Sequence, residues 1–332
     1  MIYTLWLYER KDFCMLHASF LILVGFVLLM VGAEYTVRGA VAIANKLKIP
    51  PIIIGLTIVA FGTSAPEFVV SIKAALSGGA GISIGNVVGS NIANVLLILG
   101  AATMIYPIAC ERRVFIKDFS FLLAVNIIFV VFALTGTFVM WHGIVMLLML
   151  FGFIYYNYRN SVNSEPSEES TSPFADKKWL FVIGVTAFGL AGIIYGADLL
   201  VKGAVDIARI LGISEEIIGL TIIAVGTSLP ELATTVMAAI RHQNGVALGN
   251  VVGSNIWNIV FIMGFTSTAI DVPVPQQFLR YDMWVMLVST IALLPIMMTK
   301  SRISRAEGTF FVITYALYLF SQIMIARGTL TF

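Results

Sequence analysis

Ten apolar segments, separated by short polar connections, limit the folds that are open to this chain. A helix needs about 20 apolar residues to cross the hydrocarbon core of a bilayer, and ten such segments use most of the 332 residues. Charged residues make up 11% of the chain and apolar residues 59%, against roughly 25% and 45–50% in soluble domains. The sequence therefore predicts an all-α polytopic membrane protein with ten transmembrane helices. The segments lie at residues 18–44, 50–77, 82–106, 119–136, 140–158, 179–207, 214–240, 246–270, 282–299 and 308–326.

The chain repeats itself after 164 positions. Residues 55–100 align with residues 219–264 without a gap, and 24 of these 46 pairs are identical, polar residues included. Five apolar segments lie in each half of the chain. Because an odd number of spans reverses the direction in which the next copy enters the membrane, we expect two inverted five-helix repeats.

One long polar tract divides the chain. Residues 159–178 are rich in serine and glutamate, a composition typical of a flexible linker. The first repeat is therefore predicted at residues 18–158 and the second, inverted repeat at residues 179–332. Residues 1–17 have no counterpart in the second half and are predicted to be an N-terminal extension, which leaves the true first residue open.

The distribution of basic residues predicts the orientation. The connections on one side of the membrane, including the linker, carry twelve Lys and Arg residues, and the other side carries five, termini included. Cytoplasmic connections are usually the more basic ones. We therefore expect a multi-pass protein of the cytoplasmic (inner) membrane, with the linker in the cytoplasm and both termini outside.

Two polar motifs interrupt the apolar segments, and each occurs once in each half. The first is Gly-Thr-Ser-x-Pro-Glu, at residues 62–67 and 226–231. The second is Gly-Asn-x-x-Gly-Ser-Asn-x-x-Asn, at residues 85–94 and 249–258. A glutamate at the centre of a bilayer costs about 2.5–3.5 kcal/mol on insertion scales and is a candidate functional residue. Two glutamates at equivalent positions, Glu67 and Glu231, therefore predict a functional site.

The proline of the first motif should open the helix that contains it. Pro66 has no N–H group and its ring clashes with the carbonyl of Gly62, and Pro230 stands in the same relation to Gly226. Carbonyl groups freed in the preceding turn, such as that of Ala60, then need a partner, which in hydrocarbon must be protein or ligand.

The second motif places its polar residues on one helix face. Asn86, Ser90 and Asn94 recur every four residues and therefore line one side of a helix. Gly85 and Gly89 should let this helix approach a neighbour closely. Together with the threonine, serine and glutamate of the first motif, these residues form a cage of carboxylate, amide, hydroxyl and carbonyl oxygens.

Such a cage favours a hard cation. Calcium takes 6–8 oxygen ligands, whereas magnesium is reluctant to lose its water. The two carboxylates carry a formal charge of −2, which one calcium ion would neutralise, and sodium also accepts oxygen ligands. Interrupted helices that meet at the midplane of inverted repeats are typical of secondary transporters.

Other kinds of site are not indicated. The chain has no basic face of the kind that nucleic-acid binding requires, and its two cysteines support neither a disulfide framework nor a zinc site. No histidine or cysteine lies near the motifs, which argues against an enzyme. We expect no cofactor and no obligatory protein partner, so the partners are the transported ions and the lipid bilayer.

At these motifs the chain resembles the calcium/cation antiporter superfamily, and in particular its prokaryotic sodium/calcium exchanger-like branch. The resemblance covers residues 18–326. It implies ten helices in two inverted five-helix repeats, and exchange of calcium for sodium at a central ion cluster on helices 2, 3, 7 and 8.

The resemblance also implies roles for individual residues. Glu67 and Glu231 resemble the central carboxylates that hold calcium and share sodium, and Asn94 and Asn258 occupy the amide position beside them. The other implied ligands are Thr63 and Thr227 at the calcium site and, at flanking sodium sites, Ser64, Ser228, Ser90, Ser254 and the carbonyl groups of Ala60 and Ala224.

Two comparisons with the superfamily concern the coupling ion. Several members, including potassium-dependent ones, carry aspartate where this chain has Asn258, which argues against potassium coupling. Proton-coupled members typically carry an Asn-Ala-x-Glu type motif instead of Gly-Thr-Ser-x-Pro-Glu, which favours sodium here. Two facing carboxylates can still share a proton, so a proton-coupled antiporter is the alternative.

A cation channel is a more remote alternative, since a channel needs no inverted repeat.

Overall fold

The computed structural model describes residues 2–109, 112–161, 172–213, 222, 224–300, 302–326 and 329. Within these residues the fold is almost entirely helical. Eight helices are long and apolar enough to cross a membrane, and a bent pair of helices adds a ninth span. The prediction of a helical, polytopic membrane protein is thereby confirmed. The start of the predicted seventh span, at 214–221, and much of the predicted linker, at 162–171, lie outside the described residues.

The described part of the first half contains six helices and two short strands. α1 continues through the predicted N-terminal extension without a break. α2 and α4 each contain a π-helical turn, Gly55–Val59 and Asn94–Leu99. The elements are α1 (Ile2–Leu47), α2 (Pro51–Thr63), α3 (Ala65–Leu76), α4 (Ala80–Ile105), β1 (Ile108–Ala109), α5 (Arg112–Ala133), β2 (Thr137–Phe138) and α6 (Met140–Ser161).

The described part of the second half has the same sequence of elements. α10 contains the π-helical turn Trp257–Met263, and another π-helical turn, Phe278–Asp282, leads into α11. The elements are α7 (Trp179–Ile210), α8 (Ala224–Gly226), α9 (Leu229–Ile240), α10 (Asn244–Ala269), β3 (Val272–Pro273), α11 (Met283–Lys300), β4 (Arg302–Ile303) and α12 (Arg305–Ala326).

The helices that carry the second motif are the innermost ones. Of the most apolar stretch of each helix, 72% is buried in α4 and 94% in α10, but only 17% in α1 and in α12. α4 and α10 therefore contact protein on most sides, whereas α1 and α12 present apolar side chains to lipid. This arrangement brings both copies of the motif to the middle of the molecule.

α1 and α7 pack closely against each other because glycines remove the side chains from their contact. A Cβ atom at Gly32 would lie 2.6 Å from the backbone nitrogen of Ile193. A Cβ atom at Gly189 would lie 2.6 Å from the backbone nitrogen of Thr36. Neither position can accept a larger residue unless the two helices move apart.

We expect Gly32→Ala to destabilise the protein by about 1–3 kcal/mol, the usual effect of overpacking, because the added methyl group meets backbone atoms. Gly184→Ala on α7 is the matched control, since no other atom lies within 4 Å of its added methyl group. Thermal unfolding of both purified variants in the same detergent measures the difference. Equal unfolding temperatures would contradict the close contact of α1 and α7.

Two antiparallel bridges connect the halves. β1 pairs with β4 through Ile108 and Ile303, and β2 pairs with β3 through Phe138 and Val272. The shift of 164 positions carries β1 onto β3 and carries Phe138 of β2 onto Arg302 of β4, so the two bridges correspond to within one residue. The contacts between the halves therefore repeat the symmetry that the sequence shows.

Candidate functional site

The first motif bends the second span at its proline. α2 ends at Thr63 and α3 begins at Ala65, and the two helices meet at an angle of 47°. Pro66 lies in the first turn of α3, where its missing N–H group breaks no helical hydrogen bond.

The carbonyl of Ala60 is not freed, contrary to the prediction. It accepts a hydrogen bond from the backbone nitrogen of Ser64 at 3.0 Å, and the Thr63 hydroxyl lies 3.3 Å from it.

The second copy of the motif has the same break. α8 ends at Gly226, Thr227 and Ser228 form a turn, and α9 begins with Pro230 in its first turn. The side chain of Ala224 lies outside the described residues.

The glycine of each copy faces α7. A Cβ atom at Gly62 would lie 2.8 Å from the side chain of Leu190, and a Cβ atom at Gly226 would meet the side chain of Val201. These glycines therefore let α7 pack directly against both breaks.

The two glutamates occupy equivalent places. Glu67 lies in the first turn of α3 and Glu231 in the first turn of α9, and each is 1% exposed. The free N–H groups at the start of a helix favour a negative charge there. The Ser64 hydroxyl donates to Oε1 of Glu231 at 2.9 Å, so the break in one half contacts the carboxylate of the other.

A pair of asparagines holds the two breaks in place. Nδ2 of Asn86 donates to the Glu67 carbonyl at 3.0 Å and to the Ser71 hydroxyl at 2.8 Å. In the second half, Nδ2 of Asn250 donates to the carbonyl of Glu231 at 3.3 Å and to the hydroxyl of Thr235 at 2.9 Å. The sequence analysis missed both hydroxyl groups. Their signal was a hydroxyl residue four positions after each glutamate.

Asn250 also connects the two halves. The hydroxyl of Thr63 lies 3.2 Å from its Oδ1 atom and can donate to it. The predicted ligand Thr63 is thus oriented by the second motif of the opposite half.

Four asparagines form two reciprocal bonds between α4 and α10. Nδ2 of Asn94 donates to Oδ1 of Asn255 at 2.9 Å, and Nδ2 of Asn258 donates to Oδ1 of Asn91 at 3.2 Å. The shift of 164 positions carries Asn94 onto Asn258 and Asn91 onto Asn255, so it converts each of the two bonds into the other. Asn94 begins one π-helical turn and Asn258 is the second residue of another, a local structure that is frequent at functional sites.

These contacts leave a set of buried oxygen atoms without any hydrogen-bond partner. We call this set the central oxygen cluster; its atoms are Oε1 and Oε2 of Glu67, Oε2 of Glu231, Oδ1 of Asn94, Oδ1 of Asn258 and Oγ of Ser254. Buried polar groups are nearly always satisfied in folded proteins. Five of these atoms can only accept hydrogen bonds when the glutamates are ionised, and such acceptor oxygens are the ligands that hard cations prefer.

The remaining hydroxyl ligands that the sequence predicts lie at the edge of the cluster. The Ser228 hydroxyl lies 3.5 Å from that of Ser90. Ser90 and Thr227 line a pocket of about 360 Å³, which extends between α4, the π-helical turn Phe278–Asp282 and α12, toward the start of α4 and the end of α12. No group of three or more His, Cys, Asp or Glu side chains in the described part of the chain could hold a metal ion. A cation here must rely on amide and hydroxyl oxygens as well as carboxylates.

The two copies of the second motif differ in their surroundings. A Cβ atom at Gly253 would lie 2.7 Å from the Cα and carbonyl oxygen of Leu56, whereas one at Gly89 would meet no atom of the described residues within 4 Å. The counterpart of Leu56, at position 220, lies outside the described residues. The close helix contact predicted at Gly89 is thus not seen with any described residue, whereas Gly253 makes one. Gly89 lines the pocket instead.

Comparison with known proteins identifies the family. The family model described as Sodium/calcium exchanger protein matches residues 17–159 and 181–324. Sodium/calcium exchanger MaX1 of Methanosarcina acetivorans is 34% identical over an alignment that covers 92% of this chain and 98% of MaX1. Inner membrane protein YrbG of Escherichia coli is 32% identical, with coverage of 83% of this chain and 87% of YrbG.

A solved structure agrees with these sequence matches. The sodium-calcium exchanger NCX_Mj, in crystals soaked with 2.5 mM Na⁺ and 0.1 mM Ca²⁺, superimposes with a TM-score of 0.79 at 32% sequence identity. The superposition covers 93% of this chain and 97% of that one. The chain belongs to the sodium/calcium exchanger family of membrane antiporters, whose members are transporters and not enzymes.

Proposed function

We propose that this chain exchanges calcium for sodium across the cytoplasmic membrane by alternating access to the central oxygen cluster. The observation that carries the proposal is the cluster itself, a set of buried acceptor atoms without donors around two carboxylates. Leaving such groups unsatisfied costs about 1–3 kcal/mol each, so the arrangement makes sense only if a cation occupies it during the cycle.

Calcium and sodium both fit the ligand set. Calcium prefers 6–8 oxygen ligands, and Glu67 with Glu231 supplies the charge of −2 that balances one calcium ion. Sodium ions can occupy the same oxygen atoms and the flanking hydroxyl groups when calcium has left, so that each ion displaces the other. We place calcium between the carboxylates, Thr63, Thr227 and the amides of Asn94 and Asn258. We place sodium also at Ser64, Ser228, Ser90, Ser254 and the carbonyl groups of Ala60 and Ala224.

The reciprocal contacts support two inverted five-helix repeats with ten transmembrane helices in all. The bonds Asn94–Asn255 and Asn258–Asn91 exchange under the 164-residue shift, and the two strand bridges do so to within one residue. Such an exchange is what a twofold axis in the membrane plane produces. Five spans per repeat require the second copy to be inverted, with the linker at residues 159–178 between them.

The unequal glycine contacts support alternating access. Gly253 is packed against α2 while the equivalent Gly89 faces the pocket. If the two halves exchange their conformations, Gly89 becomes packed and Gly253 opens a pocket on the opposite side of the cluster. The cluster would then be reached from each side in turn, as exchange requires. With the orientation that the basic connections favour, the present pocket opens on the outer side of the membrane in this proposal.

Calcium uptake into everted vesicles tests the exchange. Vesicles loaded with sodium and diluted into sodium-free buffer should take up calcium, and vesicles loaded with choline should not. In a second set of vesicles, calcium uptake is measured with a pH gradient and no sodium. Uptake driven only by that gradient would replace sodium by protons as the coupling ion. Calcium flux driven by voltage alone, without a counter-ion gradient, would contradict exchange and indicate a channel.

A further inference from the structure

A third buried carboxylate lies in the pocket, apart from the central oxygen cluster. Asp282 is the last residue of the π-helical turn before α11, is 1% exposed, and lines the same pocket as Ser90 and Thr227. Ionisable residues inside membrane spans are expensive and usually functional. Neither the two sequence motifs nor the exchange mechanism proposed above uses this residue.

Only one of the two carboxylate oxygens of Asp282 is satisfied. Oδ1 accepts hydrogen bonds from the Tyr318 hydroxyl at 3.0 Å and from Nε2 of Gln322 at 2.6 Å. The Gln322 side chain is itself held by Gln277, whose Nε2 donates to Oε1 of Gln322 at 3.1 Å. Oδ2 of Asp282 is buried and has no partner. No ion pair among the described residues joins Asp282 to a lysine or arginine.

This pattern of contacts indicates a cation next to Oδ2. If Oδ2 carried a proton, that O–H group would need an acceptor, and no group among the described residues accepts from it. If the carboxylate is ionised, its charge needs a counter-ion, because an isolated buried charge is costly. One carboxylate balances one monovalent cation. The pocket has a volume of about 360 Å³, enough for roughly ten water molecules at about 30 Å³ each, so the ion can keep much of its hydration shell.

We propose that Asp282 holds a partly hydrated sodium ion in the pocket, at a separate site that ions occupy before they reach the central oxygen cluster. Tyr318 and Gln322 are positioning residues that fix Oδ1 and thereby leave Oδ2 for the ion. The proposal rests on the proposed exchange for its functional consequence, but binding at Asp282 can be measured without transport.

The sequence repeat contains a second aspartate at the equivalent place. Asp118 stands 164 positions before Asp282 and is also buried, in α5. In two inverted repeats, Asp118 faces the opposite side of the membrane from Asp282. It would then serve the pocket that opens there in the other conformation.

The variant Asp282→Asn distinguishes the role of the negative charge of Asp282 from the role of its hydrogen bonds. The asparagine can accept both hydrogen bonds with its Oδ1 atom, so the contacts with Tyr318 and Gln322 are kept. It removes the negative charge and places an NH2 group where Oδ2 stood, which a cation cannot bind. Asp198→Asn is the control, because Asp198 is an exposed residue that pairs with Lys202 at 2.6 Å and lies outside the pocket.

Transport measures the consequence from each side. In right-side-out vesicles loaded with calcium, we expect Asp282→Asn to raise the external sodium concentration for half-maximal calcium efflux by about fivefold, as for one partly screened charge contact, with the maximal rate retained. In everted vesicles the half-maximal sodium concentration should stay unchanged for Asp282→Asn and rise for Asp118→Asn. Unchanged values for Asp282→Asn on the outer side, or an equal rise on both sides, would overturn the proposal.

A binding measurement distinguishes failure of this site from failure of the exchange. In the Glu67→Gln/Glu231→Gln background, sodium chloride should still raise the unfolding temperature above that in choline chloride of equal ionic strength, because a ligand stabilises the state that it binds. Adding Asp282→Asn should reduce this difference, and adding Asp198→Asn should preserve it. A sodium effect that is equally large with and without Asp282→Asn, or that is absent from the background, would overturn the site whatever the transport assay shows.

Discussion

Replacing Glu67 by glutamine is expected to reduce sodium-driven calcium uptake by at least about a hundredfold, since even groups that only support a metal ligand affect affinity by 10- to 100-fold. The amide brings two N–H donors into a set of acceptor oxygens and removes half of the charge that balances calcium. Uptake into sodium-loaded everted vesicles measures the loss. Glu231→Gln should have the same effect, because the two carboxylates occupy equivalent helix starts.

The loss must come from the ion site and not from misfolding. Both oxygens of the Glu67 carboxylate lack partners, so removal of its charge breaks no contact, and the unfolding temperature in ion-free buffer should not fall. Calcium should raise that temperature in the unchanged protein and not in the variant. Asp198→Asn, a carboxylate-to-amide change outside the site, should keep normal uptake. Normal uptake by Glu67→Gln would exclude the central oxygen cluster as the calcium site.

Replacing Gly89 by alanine is expected to hold the protein in the conformation described here. No atom of the described residues lies within 4 Å of the added methyl group in this conformation. In the opposite conformation, Gly89 takes the surroundings that Gly253 has now, where a methyl group meets the backbone of the second span. Overpacking of about 1–3 kcal/mol would make that conformation about tenfold rarer or more, and exchange should slow accordingly. Calcium uptake in the same vesicles measures the rate.

The matched variant Gly253→Ala should have the opposite effect on access. Its methyl group strains the present conformation, and this strain is relieved when the two halves exchange their conformations. A cysteine at Val70, which lines the pocket, reports access when Cys14 and Cys110 are replaced by serine. A membrane-impermeant thiol reagent added outside should modify Val70→Cys faster with Gly89→Ala and more slowly with Gly253→Ala. Equal rates in the two variants would contradict the exchange of conformations.

Much of the fold follows from the sequence because the bilayer sets the helix length. Segments long and apolar enough to span the membrane had few other structures available, and the described helices lie close to the predicted limits. The repeated motifs likewise led to both glutamates and to the asparagines beside them. These residues are recognisable because polar groups are rare and costly in hydrocarbon.

Contacts between the halves could not be predicted in the same way. The Ser64–Glu231 bond depends on how the two breaks face each other, and no spacing within one half encodes that. The supporting hydroxyl groups, Ser71 and Thr235, were missed because they differ in residue type and resemble ordinary helix residues. The predicted free carbonyl at Ala60 was wrong, because the helix makes its last bond at Ser64 before it breaks.

The sequence also could not predict that the surroundings of Gly89 and Gly253 differ. Both glycines belong to the same motif with the same neighbours in sequence, so any rule applied to the motif treats them alike. In the proposed exchange mechanism, their environments differ because the protein adopts one of two arrangements that a symmetric sequence permits. Asp282 was missed for another reason, since it lies at the edge of an apolar segment, where a charge usually marks the membrane boundary.

The reciprocal bonds between α4 and α10 also bear on how such a protein could arise. Each half supplies the donor for an amide of the other, and Ser64 reaches the carboxylate of the opposite half. A gene that encoded one half alone would have produced an incomplete site, so its product would have had to assemble as a pair of oppositely inserted copies. Fusion of two such genes then freed each copy to change by itself. Trp257 records one such change: its indole nitrogen donates to the carbonyl of Leu56 at 3.0 Å, where the first copy has Ala93.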